Sequence, residues 1–142
     1  MPNLSPYHIF ISHAWKYGAA YDNLESMLNN APLFKYFNYS APEDKPLHNL
    51  DATDVRTRRE IEEAIDRKIR VSSCVLVISG MYYNHRKWMQ YEIDAAQRMN
   101  KPIIAIRPRG AERMPGEVIL AATEIVNWNT ASIVDAIRKH CK

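Results

Sequence analysis

Short apolar runs along this chain alternate with segments whose apolar residues recur roughly every three to four positions, a pattern that predicts strands alternating with helices. Tyr7 to Ile11 is rich in β-formers and reads as a short strand buried on both faces. Gly18 to Leu28 carries Ala20, Leu24, Met27 and Leu28 at helical spacing, and Pro32 closes it. Phe34 to Tyr39 reads as an aromatic strand that leaves the sheet at Ser40-Ala41-Pro42, and residues 40 to 54 have no period and read as a long loop. Asp54 is the expected N-cap of a helix with Val55, Ile61, Ile65 and Ile69 on one face. Val71 to Ser79, a β-branched run, is the expected central strand, and the polar and aromatic loop Tyr82 to Lys87 leads from it into a helix ending near Asn100. Lys101 to Ile106 is a further strand, followed by a basic loop, Arg107 to Gly116, and a short helical turn at Gly116 to Leu120. Ile125 to Trp128 is the last strand, and Thr130 is the expected cap of a helix facing inward through Ile133, Val134 and Ile137.

Strands that alternate with helices need crossover connections, which make the sheet parallel and cover both its faces. The fold class is therefore α/β: a flavodoxin-like three-layer fold with a central five-stranded parallel sheet in the order 2-1-3-4-5. Ligands of such sheets sit at the carboxyl ends of the strands, near the switch in strand order. Three segments fall there: Ser12-His13-Ala14-Trp15, the loop from Ser40, and Ser79 to Lys87.

The helix that follows the third segment carries the most informative residue. At ~100° per residue, Glu92, Ala95 and Met99 project within roughly 40° of Trp88, so this acid points with the apolar stripe instead of toward water. Desolvating a carboxylate costs free energy unless a partner or ligand compensates, which makes such an acid a candidate active-site group. The crevice would combine Glu92 with several hydroxyls and the aromatics Trp15, Tyr82, Tyr83 and Trp88, a set suited to a nucleotide whose base stacks and whose ribose bonds to an acid.

Composition narrows the classes of function. The length of 142 residues suits one domain spanning 1–142, and 46% hydrophobic with 25% charged residues is ordinary globular usage. The net charge of +3 is spread among alternating signs, as in Arg58-Arg59-Glu60, which argues against a nucleic-acid surface. Cys74 and Cys141 form neither a disulfide framework nor a zinc motif, and His13, His48 and His85 lack metal-ligand spacing, so no metal is expected. No leader or membrane-length apolar run stands out, and the reading is a cytoplasmic protein. Arg107, Arg109 and Arg113 fit either substrate phosphates or a solvated face.

Three features together resemble one family: Phe10-Ile11-Ser12-His13; Trp88-x-x-x-Glu92-Ile93 behind a Ser79-led loop; and Val126-Asn127-Trp128-Asn129 before the Ile133-Val134-Asp135-Ala136-Ile137 helix. They are similar to the TIR-like domain of the ThsB subunits of the Thoeris antiphage system. The resemblance implies that Glu92 is catalytic and that NAD is the substrate, with no cofactor. It implies release of nicotinamide and formation of a cyclic ADP-ribose-type signal that activates a partner effector. Ser12, His13, Trp15, Ser79, Tyr82, Tyr83 and Trp88 are the expected substrate contacts. A phage-derived activator and a homo-oligomer join NAD and the effector as candidate partners; nucleic acid and membrane do not.

Rival readings differ in chemistry. TIR domains also act as non-catalytic assembly scaffolds. A receiver domain would need clustered aspartates where Ser12-His13 and Ser79-Gly80 stand, and a flavodoxin a phosphate loop where Ala14-Trp15-Lys16-Tyr17 stands. A nucleoside deoxyribosyltransferase, also dependent on a glutamate, stays open.

Overall fold

The apolar runs form the inner strands of a parallel sheet because only a sheet covered on both faces buries every side chain of a strand. In a computed structural model that describes residues 5–12, 19–40, 55–82, 86–107 and 113–141, the sheet has five strands in the order β2-β1-β3-β4-β5. These are β1 (Tyr7–Ser12), β2 (Tyr36–Asn38), β3 (Cys74–Ile78), β4 (Ile103–Ile106) and β5 (Glu124–Val126). All four ladders are parallel; Ile9 pairs with Cys74, Ser12 with Val77 and Val75 with Ile103. The expected order and class are those observed.

Helices α1 (Ala19–Asn30) and α5 (Thr130–His140) cover one face, packing Leu24, Leu28, Ile133 and Ile137 on Ile9, Ile11, Leu76 and Ile78. Helices α2 (Val55–Val71) and α3 (Arg86–Arg98), with the short α4 (Gly116–Ala121), cover the other. There Ile61, Ile65, Ile69 and Ile93 meet Phe10, Val75 and Val77. Strand side chains alternate between faces, so Ser12, two residues after Phe10, belongs to the layer of α2 and α3, while Ser79 opens the 3-10 turn that follows β3.

Several boundaries differ from the sequence reading. The central strand begins at Cys74 and not at Val71, because α2 continues through Val71, which is 55% exposed, and Ser72 closes it by donating its hydroxyl to Lys68 O at 2.8 Å. A β-branched run spans both elements, and composition alone does not divide it. The last strand occupies Glu124–Val126, ending two residues before Trp128, and β2 is confined to Tyr36–Asn38. The cap of α5 is Asn129, whose side chain accepts from Ser132 N at 3.1 Å; Thr130 is the first helical residue. Asp54 and residues 41–54 of the expected loop lie outside the described residues.

Both cysteines are free and buried; Cys141 Sγ donates to His8 O at 3.3 Å beside the start of β3. Among the described residues no helix is long and apolar enough to cross a membrane.

Among the described residues, two non-glycine residues adopt left-handed backbone: Asn100, at φ 57°, just after α3, and Leu33, at φ 53°, after α1. Asparagine tolerates this conformation; a leucine that is 77% exposed gains nothing from it by packing. Leu33→Gly is expected to raise the unfolding free energy by about 0.5–1 kcal/mol, the relief of the left-handed strain less the entropy of a freer unfolded chain. Urea denaturation measures it, and a lower midpoint for the variant would contradict the expectation.

Candidate active site

The carboxyl ends of β2, β1 and β3 lie side by side, bringing Ser40, Ser12 and Ser79 to one edge of the sheet, all buried. Ser40 belongs to a polar group on the α1 side: its backbone N–H donates to Asn38 Oδ1 at 3.0 Å, and Asn38 Nδ2 donates to the Tyr21 hydroxyl at 2.7 Å and to Glu25 at 3.2 Å. Periodicity in the sequence gives no sign of this group. Ser12 faces the opposite layer, toward α3, and Ser79 is buried at the start of the 3-10 turn after β3.

Helix α3 packs on β1 and β3 through Trp88, Met89, Glu92, Ile93, Ala95 and Ala96, all buried, so the acid does lie in the apolar stripe. Glu92 is 0% exposed, and Ser12 Oγ donates to its Oε1 at 2.7 Å across 80 residues of sequence. The hydroxyl replaces part of the hydration that the acid loses on burial and so offsets part of its desolvation. Ser79 Oγ is buried with no hydrogen-bond partner among the described residues. A buried hydroxyl without a partner costs free energy, and such groups mark sites that a ligand or water completes.

Trp88 packs in the same core layer and meets Tyr91 edge to face, with ring centroids 6.1 Å apart. Tyr91 in turn donates its hydroxyl to Asp66 Oδ1 on α2 at 2.9 Å, and Arg98 pairs with the same oxygen at 3.3 Å. Asp66 thus braces one face of α3 against α2.

Tyr82 follows the 3-10 turn, Ser79–Met81, after β3; its ring is buried, and its hydroxyl shares its one proton between Gln90 and, at 3.2 Å, Glu117 on α4. Burial pushes this hydroxyl's pKa up, which keeps it a donor. Arg86 holds Glu117 from the other side at 2.9 Å. The tyrosine expected at the substrate is therefore bonded on the side of α3 that carries Gln90, about 200° around the helix from Glu92. His13, Trp15 and Tyr83 lie outside the described residues, as do His48, His85 and Arg109; Arg107 and Arg113 are exposed. Of the expected site residues, the structure brings Ser12 and Glu92 into contact, sets Trp88 in the same layer and buries Ser79 at the end of β3.

An open cavity of about 320 Å³ lies elsewhere on the carboxyl edge, lined by Arg107, Glu124, Asn127 and Asp135 among others, and does not reach Glu92. Among the described residues no group of three or more His, Cys, Asp or Glu is placed to hold a metal ion.

Residues 10–113, which span β1 through the start of the segment before α4, match the family model described as Thoeris protein ThsB, TIR-like domain. No curated protein matches the chain.

The brace beside the site titrates. Burial, and then the hydrogen bond to Asp66, push the Tyr91 hydroxyl up to about 12. A pKa raised in the folded state stabilises fully below the unfolded value of about 10 and loses that contribution as pH climbs through the folded one. Tyr91→Phe is therefore expected to lower stability by about 1 kcal/mol at pH 8, with the gap to the natural protein narrowing above pH ~10. Urea midpoints taken across that range measure it, and a gap independent of pH would contradict the brace.

Proposed function

The chain belongs to the TIR-like domain family of the Thoeris protein ThsB, and on that premise we propose that this defence protein cleaves NAD at the nicotinamide ribose bond. The observation that carries the reading is Glu92, a wholly buried acid held by a hydroxyl at the carboxyl edge of the sheet, where α/β folds of this order bind ligands.

The chemistry needs little else. Most glycoside hydrolases use two carboxylates, because the leaving oxygen must be protonated and the oxocarbenium-like sugar stabilised. Nicotinamide in NAD is cationic. When its bond to the anomeric carbon breaks, the electron pair goes to the ring nitrogen and it departs neutral, without an acid. One carboxylate is then sufficient: Glu92 holds the ribose hydroxyls and stabilises the positive charge that develops on the anomeric carbon. Water attacking that carbon gives ADP-ribose and a proton. A nitrogen of the adenine or a ribose hydroxyl of the same molecule, attacking in a site closed to water, gives a cyclic ADP-ribose-type product, the signal that would activate a partner effector.

No part of Glu92 reaches solvent, so NAD must displace whatever covers the acid before it can react. That requirement fits an enzyme that is silent until a phage-derived component binds.

The test is to incubate the protein with NAD, alone and with lysate of infected cells, and to measure free nicotinamide. Release is expected in the second setting. Glu92→Gln, nearly equal in volume and still able to accept from Ser12, should keep the fold and lower turnover by about 10³-fold or more. An active Glu92→Gln protein would refute the role of the acid, and absence of release from the natural protein in both settings would favour a non-catalytic TIR-type scaffold.

A further inference from the structure

We propose that Ser12 is a positioning residue, one that acts on the reaction through Glu92 and not by touching the substrate; the inference rests on the NAD reading above. Glutamate is a poor choice where an oxygen must be held in place. It has three rotatable side-chain bonds, and displacement of a reacting group by about 1 Å costs on the order of 10²-fold in rate. Serine has one such bond, and Ser12 stands on an inner strand of the sheet. β1 is paired on both sides, with β2 through Tyr7, His8 and Ile9 and with β3 through Ile9 to Ser12. The 2.7 Å bond from Ser12 Oγ to Glu92 Oε1 ties the end of the long side chain to that strand, while the Trp88, Tyr91 and Asp66 contacts fix the helix from which it grows.

The two buried serines at the carboxyl ends of β1 and β3 divide the work. A hydroxyl has one proton to donate. Ser12 gives its proton to Glu92 and has none for a ribose oxygen. Ser79, equally buried on the neighbouring strand end and without a hydrogen-bond partner among the described residues, keeps its proton for another acceptor. Loss of Ser79 should therefore appear in substrate binding and loss of Ser12 in the rate of the bound complex.

Nicotinamide release is followed for the natural protein and for Ser12→Ala, Ser12→Thr and Ser12→Cys, under the conditions in which the natural protein is active. Rates are referred to folded protein measured by circular dichroism. Ser12→Ala is expected to lower kcat about 10–100-fold with KM within about threefold of the natural value. Ser12→Thr, which keeps a hydroxyl on the same carbon, should hold kcat within about fivefold. Ser12→Cys, which fills the space with a weak donor, should lose rate as alanine does. That last variant also serves if the alanine protein does not fold.

A loss confined to KM, an alanine variant as fast as the natural protein, or a cysteine variant as fast as the threonine one would overturn the positioning role and leave NAD cleavage standing. No nicotinamide from the natural protein in any setting would overturn the NAD reading, and the role of Ser12 with it.

Discussion

Taking a carboxylate out of water costs several kcal/mol unless other groups replace the hydration it loses, and the arrangement around Glu92 is built on that constraint. The acid is at 0% exposure on the inner face of α3, and a strand hydroxyl from the far side of the core donates to it at 2.7 Å. For that bond to form, β1 must be an inner strand, Ser12 must face the α2 and α3 layer, and α3 must cross β1 and β3 with its Trp88 and Glu92 stripe inward. The register that pairs Ser12 with Val77 places the serine at the height where the first turns of α3 pass.

The supports of the site are polar contacts at the edge of an apolar layer. Asp66 receives Tyr91 and Arg98 and so couples α2 to α3. Tyr82 and Arg86 meet at Glu117 and couple the turn after β3 to α4. Glu117 is held below the usual carboxylate range, first by its own backbone N–H and then by Tyr82 and Arg86, so it stays an acceptor at neutral pH. The segment that carries Ser79 is thereby tied at its far end, and the helix that carries Glu92 is tied to both neighbours. A reaction that depends on placing a single acid against a sugar gains from this, since rigid surroundings lower the reorganisation needed in the transition state.

Function in such a fold lies in the residues at the strand ends and not in the fold itself. Receivers and flavodoxins share the order 2-1-3-4-5, but their chemistry needs aspartates or an open phosphate loop at the strand ends. This chain offers hydroxyls, an indole and one acid, and the family match over residues 10–113 includes all of them. The NAD reading and the positioning role of Ser12 both follow from that combination.

The parallel five-stranded sheet and the inward phase of Glu92 were legible in the sequence, because alternation of apolar runs with helical periods, and the angular position of a residue on a helix, are local properties; the order 2-1-3-4-5 came by analogy with flavodoxin-like folds and is the order observed. Topology also put Ser12 and Ser79 at strand ends near the acid, and helix phase put Trp88 one turn before it; the contact of Ser12 with Glu92 is observed. Boundaries were less legible: Val71 looked like strand and is the last residue of α2, and Asn129 rather than Thr130 caps α5, since adjacent residues of similar propensity are separated only by which hydrogen bonds close. Only the tertiary structure decided that the Ser12 proton goes to Glu92 while the Ser79 hydroxyl finds no partner among the described residues, and that Tyr82 turns toward Gln90 and Glu117. Those outcomes depend on distances between groups far apart in the chain, and no short-range pattern carries them.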